Sequence, residues 1–491
     1  SLRPGKTRRM SPTLLRLLRS GLVRHEACRG RPLASACPLT MALPFDEATS
    51  RPAMVVGAAA RGDQGGGSTI IPHVARSPKL GGSGGVGVNR PVAKLKESLP
   101  RLMHLDMGHP WVYDDDLSNI SDLSGQPPGT IVDLLGPSGA KMGVGMLNRQ
   151  ASIVVRRIED LPEGLTAETL RSRLRACFTS REKSEASPYY RVVHGELDGL
   201  PGIFVDRFGT GAVAVFESIG SARLEFVVLE ELSRWLGKLD QVAVHRMVAL
   251  KEKWAQGGDE FATSLARGES PRFTVLDQPC VYEFDVHQGI AGHWNYGLEN
   301  IRRNLAEQLM AQGGTVLDAW SHVGQWGIRC AKLGATEVVL LEDSLAFAKL
   351  SGENAARNGV DLQCTALHRS SVVDELRSMA SSGIRFNCVA LSARARFARY
   401  FKQRRGQFGR WFKPSLKGYE TSVHLAAQVT SRGGYLLVNL LLPVADEHAA
   451  LSLVQCGLER ASRSGSLIHH AVGLGPHCAL ASTTMEDAWC P

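Results

Sequence analysis

The chain has 491 residues, room for two to four domains at about 100–200 residues each and enough to bury large cores. Hydrophobic residues make up 43% and charged residues 21%, an ordinary globular balance, and no uninterrupted apolar run approaches the ~18 residues of a spanning helix. A helical membrane protein and a wholly disordered chain are both excluded. The net charge of +9 is concentrated: residues 1–40 hold nine basic side chains against the lone acid Glu26, so residues 41–491 carry only +1. Any RNA-binding or membrane-binding claim must therefore rest on local clusters.

Residues 1–40 are rich in arginine, serine and leucine. Their "SPTLLRLLRSGLVRH" stretch puts leucines on one helical face, with Arg16, Arg19 and Arg24 off it. That is the composition of an organelle transit peptide, mitochondrial with the plastid as alternative; a basic arm on nucleic acid is the rival reading. Residues 41–91 form a Gly/Ser-rich linker that cannot bury enough apolar surface to order itself. Residues 92–160 read as a small β-barrel, from the alternation in Ile131–Leu135 and Ile153–Val155. Residues 161–272 read as a central α+β domain: the helix "AETLRSRLRACF", a strand–turn–strand over "YRVVHGELDGLPGIFVDRFGTGAVAVFES", and the amphipathic helix "LEFVVLEELSRWLGKL". In residues 273–491 the strands "TVLDAW", "EVVLLED", "FNCVALS" and "GYLLVNLLL" alternate with helices, which predicts a doubly wound α/β domain.

None of the ten cysteines forms a Cys-x-x-Cys pair, and no Cys/His group has zinc spacing, so a reducing compartment without a structural metal is expected. Cys388, in an apolar strand, and Cys456, on a helix, both read as core. His293, His322, His424, His469 and His470 share no spacing and read mostly as surface or helix-face residues with no metal or acid–base role.

"TVLDAW" ends near Asp318 and runs through a small-residue turn containing Gly324 and Gly327 into a helix, while Asp343 closes the next strand. In open α/β sheets a ligand sits beyond the carboxyl ends of the strands, a glycine lets backbone approach it, and an acid on the second strand accepts from ribose hydroxyls. Asp318, Gly324, Gly327 and Asp343 are thus candidate contacts for a nucleoside-bearing cofactor. A tight strand–helix turn with a solvated acid is the plainer alternative.

"HPWVY" (His109–Tyr113), "HGELDGLPGIFVDRFG" (His194–Gly209), "VLDAWSHVGQWGI", the Asn354/Asn358/Gly359 pattern, "LKGY" and "GGYLLV" together resemble the bacterial-type large-subunit rRNA cytosine-5 methyltransferases over about residues 93–480. The resemblance implies a PUA-like small β-barrel, a central α+β domain and a C-terminal Rossmann-like methyltransferase domain that binds S-adenosylmethionine. It also implies that the loop matching Asp318–Gly327 holds the methionine part of the cofactor and Asp343 its ribose.

The departures from that family cluster where its chemistry lies. Its Asp-Pro-Pro falls on Ser392-Ala393-Arg394, an acid near the adenine on Ser371, its Thr-Cys-Ser on Asn439-Leu440-Leu441, and its Leu-Asp-Gln-Arg on Asn295-Tyr296-Gly297-Leu298. Methylating cytosine C5 requires a thiolate to add at C6 and a group to manage the N3 proton, and leucine does neither. No residue is assigned a catalytic role, and no cofactor is expected, with S-adenosylmethionine the ligand if the pocket is intact.

Between Arg394 and Lys417 stand nine basic residues and no acid: Arg394, Arg396, Arg399, Lys402, Arg404, Arg405, Arg410, Lys413 and Lys417, interleaved with aromatics that include Trp411. Such a segment suits phosphates and unpaired bases. The sequence therefore reads as an inactive methyltransferase relative that binds RNA, a structural component or assembly factor of an organellar ribosome. Its expected partners are rRNA and ribosomal proteins, with no membrane or DNA. The alternative is an active S-adenosylmethionine-dependent rRNA methyltransferase.

Overall fold

The computed structural model describes residues 90–98, 109–149, 153–158, 165–184, 187–236, 239–248, 260–288, 299–310, 313–393, 416–442, 447–472 and 477–487, together with Leu102, Leu105, Trp294 and Tyr296. The transit-like extension, most of the linker and the basic segment from Arg394 to Lys413 lie outside the described residues. Lys417 falls within a described helix, with its side chain outside the description.

The first sheet joins β1 (Val92–Lys94), β2 (Trp111–Tyr113), β3 (Ile131–Leu135), β4 (Lys141–Leu147) and β5 (Ile153–Ile158) in the order β1-β3-β4-β5-β2. In β3 the alternation seen in the sequence holds: Val132 and Leu134 are buried while their neighbours are only half-buried. Helix α1 (Ala167–Ser184) then leads into a second sheet. It comprises β6 (Tyr189–His194), β7 (Ile203–Phe208), β8 (Gly211–Phe216), β9 (Gln241–Val248) and β10 (Glu260–Arg267), with α2 (Glu225–Trp235) between β8 and β9. Every residue of β8 is buried because both faces of this sheet are covered. One face packs Val205, Ala214 and Phe216 against Leu174 and Phe178 of α1 and Val228 of α2. The other presents Phe204 and Phe208 to the hairpin β11 (Arg272–Asp277) and β12 (Cys280–Asp285), where Phe208 meets Phe284 edge-on at 4.9 Å.

The first two sheets are joined by a buried ionic seam. Arg156 of β5 bonds both Glu196 and Glu217, Trp111 donates its indole N–H to Glu196 at 2.9 Å, and the Arg156 guanidinium lies 5.7 Å from the Trp111 ring. Next to it Arg191 grips Asp206 with two bonds of 2.7 and 3.0 Å.

The third sheet is built from β13 (Thr315–Ala319), β14 (Glu337–Glu342), β15 (Cys364–His368), β16 (Phe386–Ala393), β17 (Thr430–Leu442), β18 (Arg463–Val472) and β19 (His477–Asp487). Its order is β15-β14-β13-β16-β17-β19-β18; all neighbours are parallel except β19, which runs antiparallel to both β17 and β18. Its connecting helices are α3 (Glu299–Met310) before β13, α4 (Gly327–Lys332), α5 (Leu345–Arg357), α6 (Val372–Ser381), α7 (Leu416–Val429) and α8 (Glu447–Arg460). All six residues of β14 are buried, as expected of a strand covered on both faces. The chain leaves β13 toward β14 on one side and returns to β16 on the other, so a topological switch lies at the carboxyl end of β13. No described helix is long and apolar enough to cross a membrane.

Asn354 on α5 and Asn358, which caps that helix one turn later, clamp the outer edge of β12. Asn354 accepts from the Glu283 amide at 2.8 Å and donates to its carbonyl at 2.9 Å, and Asn358 does the same to Val281 at 2.9 and 2.7 Å. Each carboxamide replaces one residue of a neighbouring strand, which satisfies an edge that would otherwise be buried unpaired.

Candidate functional site

The switch point opens onto the carboxyl ends of β13, β14, β16 and β17. Asp318, fully buried, accepts from the Gly327 amide at 2.9 Å through Oδ2. Burial pushes its carboxyl up to about 7, against the opposing pull of the Gly327 and Trp326 amides and of Arg302. Its Oδ1 has no hydrogen-bond partner among the described residues. Gly324 has φ +84°, a left-handed conformation that favours glycine, and a side chain on Gly327 would run into Leu340 and Val338. Both glycines are therefore explained by the tight turn and by the packing of α4 on the sheet.

Beneath this loop lies a buried, base-rich cluster. Arg302 reaches Asp277 at 3.1 Å, Arg329 reaches it at 2.6 Å, and all three side chains are essentially without solvent contact. Arg302 also donates to the Gln325 carboxamide at 3.2 Å and stacks 4.8 Å over Trp294. Arg302 Nη2, Arg329 Nε and Nη1, Gln325 Nε2 and Trp294 Nε1 find no acceptor among the described residues. Two buried arginines share one carboxylate, a third, Arg303, approaches it to 4.0 Å, and the surplus is all donor.

At the carboxyl end of β14 the acid nearest the loop is Glu342, which the sequence reading passed over. It is the last residue of the strand, 2% exposed, and its carboxylate accepts from the amides of His322 at 2.7 Å, Asp343 at 3.1 Å and Ser344 at 3.4 Å. Asp343, the next residue, is half-buried and accepts from the Trp320 indole N–H at 3.1 Å. Trp320 and His322 both have positive φ, 57° and 59°. His322 stacks on Phe347 with ring centres 4.9 Å apart. It is 6% exposed, which corrects its reading as a surface or helix-face residue: the turn folds it inward.

Ser392 of β16 pairs in register with Asn439 of β17, and Ala393 with Leu440. The position matched to the family's acid, Ser392, and the one matched to its thiol, Leu440, therefore stand one residue out of register on adjacent strand ends, a serine and a leucine in place of a carboxylate and a thiol. Cys388, four residues or two pleat repeats deeper on the same face, is buried and its thiol is pushed up to about 12, as its core reading required. Cys456 is exposed on α8, which corrects its reading as core: that helix packs inward through Leu453, Val454 and Leu458 instead. Ser371 caps α6, accepting from the Asp374 amide at 3.2 Å. No group of histidines, cysteines and acids able to hold a metal occurs among the described residues.

Fold and site together define a PUA-like domain joined to an α/β methyltransferase fold. The sequence model of a PUA-like domain matches residues 103–160. Ribosomal RNA large subunit methyltransferase I of Shewanella denitrificans is 25% identical over 350 residues, 70% of this chain and 84% of that protein. Its counterpart from Aeromonas salmonicida is 25% identical over 341 residues, 67% and 80% of the two chains. Among solved structures, a protein of Streptococcus mutans described as a SAM-dependent methyltransferase superposes with a TM-score of 0.63 at 11% identity, covering 80% of this chain and all of that one. A further methyltransferase structure, described as complexed with SAH, gives 0.61 at 12% identity with the same coverage. The expectation that no cofactor is bound finds no support in these relatives.

The residues fit such a cofactor only in part. At the end where its amino-acid moiety would lie, Asp318 Oδ1 and the unpaired donors of Gln325, Arg302 and Trp294 suit an ammonium and a carboxylate. At the nucleoside end both acids already hold partners within the chain: Glu342 accepts from three amides and Asp343 from the Trp320 indole. The ribose hydroxyls of the cofactor would have to share these acids with their internal partners.

Proposed function

We propose that this chain is an RNA-binding protein on an rRNA-methyltransferase scaffold that does not carry out the thiol-dependent cytosine-5 reaction, and that it serves the ribosome of an organelle, the mitochondrion before the plastid. The observation that carries the reading is the paired ends of β16 and β17, where Ser392 and Ala393 lie beside Asn439 and Leu440 with no thiol or carboxylate among them, while the buried Cys388 thiol four residues back is held up to about 12. The PUA-like domain, the rRNA-directed names of the relatives and the acid-free run of basic residues from Arg394 to Lys417 support RNA as the partner. The transit-like composition of residues 1–40 supports the organelle.

A second reading, S-adenosylmethionine-dependent transfer to an rRNA nitrogen or oxygen, needs no thiol. It is favoured by the names of the relatives and by the unpaired Asp318, Gln325 and Arg302 groups.

The test incubates the full chain with large-subunit rRNA fragments and methyl-labelled S-adenosylmethionine. Binding that weakens steeply from about 50 to 200 mM salt, with no label transferred, is the expected result. Label in the RNA would establish the second reading, and absence of both binding and transfer would sink both. Changing Arg404, Arg405 and Arg410 to Glu should weaken RNA binding at least tenfold and flatten its salt dependence.

A further inference from the structure

We propose that Trp320 and Glu342 form an internal latch that holds the nucleoside half of the crevice closed, so that the pocket discriminates against adenosine-bearing ligands. The inference deepens the non-catalytic reading above and rests on it for the identity of the crevice.

The latch stands on two independent observations. The first is hydrogen bonding. A ribose diol is recognised by a carboxylate with both oxygens available, and here the two acids at the end of β14 already have partners within the chain. Glu342 uses one oxygen on the His322 amide and the other on the Asp343 and Ser344 amides, and Asp343 receives the Trp320 indole. Glutamate has one methylene more than aspartate, and that extra reach carries its carboxylate to the His322 amide. A ligand hydroxyl would have to compete for these oxygens with charge-assisted bonds, which at the 2% exposed Glu342 are strong because little water reaches them.

The second is backbone geometry. Trp320 and His322 are non-glycine residues in the left-handed region, separated only by Ser321. A bulky residue there is strained, and the strain persists only where surrounding structure imposes it. Here the Glu342 carboxylate on the His322 amide, the His322–Phe347 stack and the Trp320–Asp343 bond supply that imposition. The turn that elsewhere in such folds faces the ligand is tied down at both strained residues.

Either half of the latch can be released by one conservative change. Trp320→Phe keeps the ring but removes the indole N–H, and with it one of the bonds on Asp343. Glu342→Asp keeps the charge but shortens the reach, so the carboxylate lets go of His322. Adenosine, SAH and L-methionine are titrated by calorimetry into the full wild-type chain and into each variant, with circular dichroism to show native folding. Wild type is expected to bind adenosine no tighter than millimolar, and each folded variant to bind adenosine and SAH at least about tenfold tighter, with L-methionine unchanged.

Micromolar adenosine binding by wild type, or a folded variant that binds no tighter than wild type, overturns the latch. If Trp320→Phe does not fold, Glu342→Asp decides the matter alone, and the reverse. RNA binding measured on the same samples separates the two claims. Nucleoside gain without RNA binding retains the latch and removes the RNA reading; RNA binding without nucleoside gain does the opposite.

Discussion

Two buried charged networks in this molecule are built on opposite plans. In the seam between the first two sheets Arg156 faces two glutamates, and beside it within the second sheet Arg191 is matched bidentately by Asp206, so every charged group meets an opposite charge. Beneath the crevice Arg302 and Arg329 divide one aspartate, several N–H groups find no acceptor among the described residues, and Asp318 is held protonated up to about 7. A satisfied network fixes two sheets against each other, whereas unsatisfied polar groups lower stability and are tolerated mainly where something is to be bound. The seam is a rigid joint, and the crevice holds buried donors that a ligand could satisfy.

The sharpest way to break this comparison is to remove the shared carboxylate. Asp277→Asn leaves two arginines buried without a counter-charge and should lower unfolding stability by about 3–5 kcal/mol in urea titration. A loss under about 1 kcal/mol would mean the cluster is hydrated rather than buried. The matching change in the seam, Arg156→Met, should cost somewhat less, about 2–3 kcal/mol at neutral pH, because Glu217 is partly exposed and can take up a proton. Burial already raises Glu217. With a folded value above the unfolded one, its ionisation is unfavourable in the native state, and that penalty fades as pH falls. The Arg156→Met deficit should therefore shrink on going from pH 7.5 toward pH 5, and a deficit that grows would contradict the pairing.

Asp318 sharpens the contrast through pH. Its folded value of about 7 lies above the ordinary 3.8, so its contribution is fullest below pH 4 and is lost as pH rises toward 7. Asp318→Asn removes this titration while keeping an oxygen for the Gly327 amide. Relative to wild type the variant should gain about 2–3 kcal/mol between pH 5 and pH 8, read from paired unfolding curves. Parallel curves would place Asp318 in a wetter setting. The smallest expected effect is at Ser371, where the sequence comparison leads one to look for an acid near the adenine. As a helix cap, Ser371→Ala should cost about 1 kcal/mol without altering ligand affinity.

The strands of the third sheet were legible because their apolar runs are uninterrupted, as in Glu337–Glu342, and the turn after Asp318 was legible from its small residues. Half of the acidic site was misjudged for a local reason. Glu342 and Asp343 are adjacent, and only the exact strand end decides which carboxylate meets the turn. The Asn354/Asn358 pair was visible as a pattern, but its role as a clamp on β12 was not, since the partners lie 71 and 77 residues away.

By itself the sequence determined the α/β class, the place of the small-residue turn after Asp318, the absence of a thiol or acid at the ends of β16 and β17 and the concentration of positive charge in two stretches. These are consequences of local periodicity and residue chemistry, which need no knowledge of distant partners. Only the tertiary structure decided which charges share a counter-ion, how Trp111 meets Glu196 across 85 residues of chain, and that the crevice acids are engaged from within. Those outcomes depend on which surfaces lose water together. That is settled by the packing of whole sheets and helices, on which short-range sequence carries no direct imprint.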